Sequence, residues 1–398
     1  MRALGSSRLF RLAAFAAIVG AAVLLSSVLT VGATQVTPAY VARARAACDL
    51  FAAPWGSNSS GRGTPRRPYR SLTKLDRALS PGQTGCLRGG SYGGLTAWHR
   101  VNTNGTGSAR ITIREYPGET ATVKGWVDLE GSYTTLEDLR IDGSNTRYPR
   151  RPPGVTCPGN VSQPLTISGH NDVLQHLDYF QAISALRSAG IGIGFWGDAD
   201  DTVIRDNRIH DVGGCEFYDH LIYLASGRHV QIYGNWMWND PHGWGVKLDP
   251  GPQDARVWGN VIDRAGSGFN FGNSSGRRPT DGNLVFDNIV VNSTGVSNTD
   301  IPWSYPGVVV TSPGLFSAST GNQVFDNDSY NNPGGITDLA AVVERSQLLV
   351  RGNRTIRPDF KDADAHDYAL ASGLHAEKKT QRRQEEAALS PAGVMGVA

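Results

Sequence analysis

Side chains that could transfer protons are concentrated between residues 210 and 247. This stretch holds three of the nine histidines of the chain, together with a lysine, tyrosines, tryptophans and several carboxylates. The strongest candidates are His210, Asp219, His220, Tyr223, His242, Trp244 and Lys247. Such a set offers a base, an acid and an aromatic surface for proton transfer on a bound substrate. The alternative is structural, because aspartate and histidine are ordinary loop residues and Lys247 could be a solvated side chain lying over its neighbours.

Two other loops carry charged residues that could hold a ligand. Arg147, Arg150 and Arg151 lie within residues 145–153, and guanidinium groups recognise carboxylates through paired hydrogen bonds. Asp198, Asp200 and Asp201 form an acidic turn whose oxygens could bind Ca²⁺. A solubilising surface and a turn without metal explain the same residues. No cofactor is therefore required, and calcium is an optional ligand.

A short phrase recurs along the chain, an aliphatic residue followed by two residues of any type and an asparagine. Its asparagines are Asn207, Asn235, Asn260, Asn288, Asn327 and Asn353, and two earlier copies have Leu139 and Leu177 in that position. Repeats of this length predict a solenoid in which each coil buries its apolar face against its neighbours. Stacked asparagines can hydrogen-bond from coil to coil at the spacing of neighbouring strands, about 4.8 Å. We therefore expect this row to be structural.

Composition agrees with an all-β protein and narrows its partners. The 398 residues include 48 glycines and 19% charged residues, and the apolar segments are short and rich in valine and isoleucine. The net charge of +2 favours neither nucleic acid nor an acidic partner. We expect a monomer that binds no nucleic acid.

The N-terminal segment predicts an exported chain. Arginines precede an apolar run within residues 1–33, which is typical of a cleaved signal peptide, although a run of about 20 apolar residues could also anchor the chain in a membrane. Secretion, or anchoring with the protein facing outside, is expected. Residues 34–125 are assigned to a linker and an N-terminal cap with the first strands, residues 126–375 to the solenoid, and residues 376–398 to a disordered charged tail.

Four cysteines in an exported chain predict two disulfides. Three pairings are possible. Cys48–Cys86 with Cys157–Cys215 is the simplest, because each pair joins segments that the repeat brings near each other. A metal site is less favoured, since no two cysteines are closely spaced.

The chain resembles the right-handed parallel β-helix superfamily of pectate lyases over roughly residues 48–375. The resemblance is carried by a short amphipathic helix from Ser71 to Leu79, the segment "PGQTGCLRGGSY", the asparagine repeats and the closing segment from Pro358 to Leu370. It implies a single-stranded solenoid whose first coil is capped by the helix. It does not fix an activity, because this superfamily includes lyases, glycosidases, epimerases and non-catalytic proteins.

The resemblance also implies a register for the strands. In relatives the asparagines lie between the second and third strand of each coil, so the first strands here include residues 221–224, 245–248 and 268–271. Alternation then directs Ile222, Leu224, Val246, Leu248, Phe269 and Phe271 inward. Tyr223, Lys247 and Asn270 form an outward file, and in relatives this face and the loops before it line a saccharide groove.

These expectations favour an enzyme acting on an acidic polysaccharide by β-elimination. Lys247 or His220 would remove the proton and Tyr223 or His242 would protonate the leaving oxygen, with Asp219 among the catalytic candidates. His210, Trp244, Asn270 and the three arginines would bind substrate. A non-catalytic carbohydrate-binding or surface protein is the main alternative.

A glycoside hydrolase and a uronate C5-epimerase are further alternatives. A hydrolase needs two carboxylates ~6.5–9.5 Å apart, for which Asp211, Asp219 and Asp240 are candidates. The tripeptide Asp240-Pro241-His242 is similar to part of an epimerase motif, but Met237 and Gly243 depart from that motif.

Overall fold

The computed structural model describes residues 47–144, 161–162, 164–181, 187–213, 219–272, 278–294, 309–311, 319–335, 337–339 and 346–371. The side chains of residues 161–162, 187–188, 309–311 and 337–339 are not described. Within these ranges the chain is built almost wholly of short strands. Residues 1–33 and 376–398, on which the expected signal and tail fall, lie outside the described residues.

The strands follow one another closely along the chain. The first group is β1 (Leu50–Ala52), β2 (Thr84–Leu87), β3 (Gly90–Val101), β4 (Ile111–Glu115), β5 (Ala121–Leu129), β6 (Thr134–Glu137), β7 (Arg140–Asp142), β8 (Val161–Ser162), β9 (Leu165–Ile167) and β10 (Val173–Gln175). The second is β11 (Asp178–Phe180), β12 (Arg187–Ile193), β13 (Val203–Arg205), β14 (Arg208–His210), β15 (His220–Arg228), β16 (Gln231–Tyr233), β17 (Trp236–Gln253), β18 (Arg256–Trp258) and β19 (Val261–Phe271). The third is β20 (Leu284–Phe286), β21 (Ile289–Val291), β22 (Val309–Thr311), β23 (Asn322–Phe325), β24 (Asp328–Tyr330), β25 (Thr337–Leu339), β26 (Leu348–Arg351), β27 (Arg354–Thr355), β28 (Phe360–Asp362) and β29 (Asp367–Leu370).

Parallel pairing arranges these strands into three walls. The ladder wall has the order β1-β2-β4-β6-β10-β13-β16-β18-β20-β23-β26. The side wall consists of β7, β11, β14, β21, β24 and β27 with the first residues of β3, β5, β17 and β19. The front wall consists of β9, β12, β15, β22 and β25 with the last residues of β3, β5, β17 and β19. Because β3, β5, β17 and β19 run through both walls, the side and front walls form one hydrogen-bonded sheet.

A row of asparagines, buried except for the partly exposed Asn353, joins the coils. Asn207 donates its side-chain amide to the side-chain oxygen of Asn235 at 2.9 Å, and Asn235 donates likewise to Asn260 at 2.9 Å. The same contact continues through Asn288, Asn327 and Asn353. Since the row lies between the ladder wall and the side wall, the asparagine repeat marks one corner of each coil, as predicted.

The interior is filled by the inward residues of all three walls. Ile222, Leu224, Val246, Leu248, Phe269 and Phe271 have no exposed surface and belong to one continuous apolar cluster. The strand alternation predicted for these segments is therefore confirmed. The first stacked strands, β1 and β2, lie within residues 34–125, the segment assigned to the linker and the N-terminal cap with the first strands.

A short helix lies near the first strands of the described solenoid, and a hairpin follows its last strands. One helix, α1 (Leu72–Asp76), begins after Ser71, whose hydroxyl accepts a hydrogen bond from the backbone amide of Lys74, and buries Leu72 and Leu75. A role for α1 as a cap stays a prediction. At the other end β28 and β29 form an antiparallel hairpin. No helix among the described residues is long and apolar enough to cross a membrane.

A disulfide joins Cys48 to Cys86 with a Cα–Cα distance of 5.6 Å, as predicted. It links Cys48, two residues before β1, to Cys86 in β2. Cys157 and Cys215, the other predicted pair, lie outside the described residues.

Candidate functional site

The predicted outward file is present on the front wall. Tyr223 pairs in register with Lys247, and Lys247 pairs with Asn270. The file continues toward the N-terminus through Gly192 and Thr166. Asn270 has no exposed surface, however, so the expectation that it binds substrate does not fit its burial.

His220 and Trp244 join this file because the chain bends where the side wall meets the front wall. Leu221 and Ile222 are consecutive, yet both belong to the interior cluster. This breaks the strict alternation and leaves His220 on the side of Tyr223. The His220 ring lies edge-on to Tyr223 with centroids 5.1 Å apart, and its centroid is also 5.1 Å from that of Trp244.

Trp244 is itself only 2% exposed, so its ring is packed beneath the file and is not an open stacking surface for a sugar. The ammonium group of Lys247 lies 5.4 Å from the centre of this ring and 4.8 Å from that of Tyr223. Aromatic rings hold a cation at such distances. Trp244 therefore contacts Lys247 and is not placed to contact substrate, as was expected of it.

Asp249 binds both polar groups of the file. One of its carboxylate oxygens lies 3.1 Å from Lys247 Nζ, and the Tyr223 hydroxyl donates to the same carboxylate. Burial, reinforced by the negative charge of Asp249, raises the pKa of Tyr223, which therefore keeps its proton. Lysine, carboxylate and phenol form one connected group, and 10% of the Lys247 side chain is exposed.

Burial and a neighbouring positive charge both act on the imidazole of His220. Burial, followed by the positive charge of Lys247, lowers its pKa well below the ordinary value. Its Nδ1 has no hydrogen-bond partner among the described residues. With only 1% of its surface exposed, His220 is better placed to support Tyr223 and Trp244 than to reach a polymer.

A cleft of about 450 Å³ opens beside Tyr223. Its lining includes Phe195, Ser226 and Arg278. Arg278 is 2.6 Å from the carboxylate of Asp198, which also accepts from the Ser226 hydroxyl. Asp198 is therefore neutralised by a guanidinium group, which leaves it poorly suited to the calcium-binding turn considered for this loop. Among the described residues no group of three or more His, Cys, Asp or Glu side chains is placed to hold a metal.

Asp219 and Asp240 lie inside the corner between the side and front walls. Both have no exposed surface, and the Cβ of any side chain at Gly213 would come within 2.6 Å of the Asp219 carboxylate. Burial, followed by the charge of Asp219, raises the pKa of Asp240 well above its ordinary value. Neither carboxyl can flank a sugar bond in this arrangement, so the catalytic role predicted for Asp219 does not fit. The hydrolase alternative loses two of its three candidates for the same reason.

His242 lies at the same corner and is partly exposed. No ring contact, ion pair or side-chain hydrogen bond joins it to Lys247 or Tyr223 within the described ranges. Its predicted role as the acid therefore has no geometric support.

His210 is on the side wall and faces a different cleft. Its ring is stacked between Phe180 and Trp238, with centroid distances of 5.7 and 4.3 Å, and its nitrogens lie 3.0 Å from Asp178 and 2.7 Å from Asp211. Burial alone would lower the pKa of His210, but the hydrogen bonds from the two carboxylates raise it. This cleft, of about 1000 Å³, is lined by other side-wall residues and by His366 of the terminal hairpin. The sequence placed His210 beside Lys247, which is wrong, because the corner between the two walls separates them.

Arg147, Arg150 and Arg151 lie outside the described residues. Asp249 and Arg278 are the site residues that sequence analysis missed. Asp249 had a usable signal, since it is two residues after Lys247 and the alternation that directs Lys247 outward directs Asp249 outward too. Arg278 had none, because it lies between β19 and β20, outside any strand whose alternation could place it.

Comparison with solved structures identifies the architecture. A structure titled "Rhamnogalacturonan lyase" matches with a TM-score of 0.50 and 15% identity over 79% of this chain and 91% of that one. The fold is a right-handed parallel β-helix. A lacto-N-biosidase from Eubacterium ramulus (TM-score 0.41, 15% identity, 77% of this chain and 67% of that one) and a pectate lyase (TM-score 0.44, 15% identity, 81% and 86%) are more distant. No protein-family model and no curated protein matches the chain. At these identities the likeness concerns the fold and leaves the reaction open.

Proposed function

We propose that this protein is an exported lyase that cleaves a uronate-containing polysaccharide by β-elimination on the front wall. The observation that carries the proposal is the connected group of Lys247, Asp249 and Tyr223 on one outward face. A rhamnogalacturonan lyase has a related fold, which agrees with this choice. One fold can host several activities, so the residues, and not the fold, carry the argument.

β-Elimination needs a base for the proton next to the uronate carboxylate and an acid for the leaving oxygen. The carbon–hydrogen and carbon–oxygen bonds break, a carbon–carbon double bond forms, and the oxygen leaves with a proton. Lys247 is the base in this proposal, since its side chain keeps more exposed surface than His220. Tyr223 is the acid, because its raised pKa keeps the phenol protonated until the bond breaks.

In this proposal Asp249 positions Lys247 and Tyr223, and Arg278 binds the substrate carboxylate. Asp249 receives hydrogen bonds from both reacting side chains and fixes their separation. Arg278 borders the cleft next to Tyr223, and its guanidinium would hold a substrate carboxylate and the negative charge that develops on it.

A second function, binding without chemistry, is favoured by one observation. The site group is largely buried, whereas Trp98 and Trp196 are 59% and 81% exposed and could stack on sugars. A binding protein would use these rings and would not depend on Lys247.

The decisive experiment measures unsaturated uronate by ultraviolet absorbance on polygalacturonate, rhamnogalacturonan and alginate. Wild-type protein should release it from at least one polymer. Lys247→Ala should lower the rate by roughly 100-fold or more, the usual contribution of a positioned base. Lys361→Ala, on the exposed terminal hairpin, is the matched control and should leave the rate unchanged. Absence of product from every polyuronate with folded protein, or full activity in Lys247→Ala, contradicts the lyase assignment.

A further inference from the structure

Trp98 is an exposed aromatic ring fixed in place on the front wall. It lies on β3 with 59% of its surface exposed, while its neighbour His99 points inward and is buried. The indole nitrogen donates to the carboxylate of Asp128 on the next strand. The ring also lies edge-on to Trp126 at 6.4 Å, and the Arg100 guanidinium is 5.3 Å from its centre. An exposed tryptophan held by three neighbours presents its free surface in one orientation.

The ring is on the same face as the Lys247 group. Arg100, two residues beyond Trp98, pairs in register with Asp128, which pairs with Thr166. Thr166 pairs with Gly192, and Gly192 pairs with Tyr223 beside Lys247. The β3 and β17 strands are thus five strand spacings apart, or ~24 Å.

Small residues occupy two of the outward positions between these ends. Thr166 and Gly192 follow Asp128 on the path, and neither has a side chain long enough to project far above the sheet. The outward side chains of the path are therefore large at both ends, at Arg100 with Trp98 two residues before it and at Tyr223, and small at Thr166 and Gly192. A chain lying along the solenoid axis could pass over the small residues and rest against a ring at each end.

We propose that Trp98, with Arg100 beside it, is a remote binding site for a sugar of the same acidic polysaccharide that reacts at Lys247. The proposal rests on the proposed function for the identity of the polymer. Trp98 stacks on the sugar ring, and Arg100, which is half exposed and paired with Glu130 at 3.1 Å, faces its carboxylate. Only chains long enough to span ~24 Å reach both ends. The protein accordingly prefers long chains and holds them several sugars away from the reacting bond.

The fixed orientation of the ring is what makes this site effective. Ordering a free side chain on binding costs free energy, and a ring already held by Asp128 and Trp126 avoids most of that cost. Removal of a central tryptophan from an interface commonly weakens binding by more than about fivefold, which corresponds to about 1 kcal/mol.

The test compares uronate oligomers shorter and longer than ~24 Å in calorimetric binding measurements, with Lys247→Ala as the background so that no substrate is consumed. Trp98→Ala should weaken binding of the long oligomer about tenfold, or 1.4 kcal/mol, and leave the short one unchanged. Trp55→Ala is the matched control, because Trp55 is 63% exposed but follows β1 of the ladder wall. It should change neither affinity.

Each other result has a defined meaning. Equal affinities of Trp98→Ala and Trp55→Ala for the long oligomer overturn the remote site, and so does an equal loss for both oligomer lengths. If length-dependent binding through Trp98 is found without any unsaturated product from wild-type protein, the remote site stands and the lyase assignment falls. If no uronate oligomer binds, both fall.

Discussion

At the scale of single residues, the charge of Asp249 decides what its neighbours can do. A carboxylate with 2% exposure beside Lys247 and Tyr223 holds an ammonium group and a phenol within reach of one another. Each of these side chains would otherwise bury a polar group at a cost in stability. The contacts with Asp249 offset part of that cost. They also fix the relative positions of Lys247 and Tyr223, which a proton transfer requires.

Asp240 lies buried at the corner between the side and front walls, and the pH dependence of stability tests whether its carboxyl is held protonated. Its folded-state pKa lies well above the ordinary value of 3.8, so the folded protein keeps a proton that the unfolded chain loses as the pH rises. Wild-type stability should therefore fall, relative to Asp240→Asn, from about pH 4 upward until Asp240 ionises in the folded state. Thermal unfolding of both proteins from pH 4 to pH 8 measures this difference. A gap in melting temperature that does not widen with pH would show that the carboxyl is not held protonated.

At the scale of elements, the asparagine row does most to keep the coils in register. Asn260 has no exposed surface, accepts two hydrogen bonds from Asn235 and donates to Asn288 and to the carbonyl of Ile232. Because such a residue serves three neighbouring coils, its loss leaves several buried groups without partners.

Asn260→Ala should reduce the free energy of unfolding by about 3 kcal/mol, since each buried group left unsatisfied costs about 1–3 kcal/mol. Denaturant titration measures it. Asn353→Ala, at the partly exposed end of the row, should cost clearly less. Equal losses in the free energy of unfolding for the two variants would contradict the view that an inner asparagine stabilises the coils on both of its sides.

Sequence alone predicted the elements better than the site. The asparagine repeat predicted one corner of each coil, and the register implied by the resemblance, together with strand alternation, placed Tyr223 and Lys247 on one face. It could not predict the opposite corner, where Leu221 and Ile222 both turn inward, because the chain there departs from a period of two. That local irregularity moved His220 and Trp244 onto the file, buried Asp219 and separated His210 from the group.

At the scale of the whole molecule, the Cys48–Cys86 disulfide ties the start of the described solenoid to its second ladder strand. It closes a segment with a sequence separation of 38 residues. Cys48→Ser should therefore lower the free energy of unfolding by about 3 kcal/mol, mainly by freeing the unfolded chain. Equilibrium unfolding under oxidising conditions measures the loss, with reduced wild-type protein as the comparison. Unchanged stability would indicate that this end of the solenoid does not take part in the cooperative transition.

The parallel stacking of coils also gives the protein a natural unit of length. Each coil pairs its strands only with those of the coils on either side, so an added or deleted coil between β5 and β15 would lengthen or shorten the front wall by one strand spacing, ~4.8 Å, and leave the other strand pairs intact. Such a change would move the tryptophan and the lysine apart or together in fixed steps. Insertion or deletion of a coil during evolution would therefore change the shortest polymer that reaches both Trp98 and Lys247, without altering any residue that contacts the polymer.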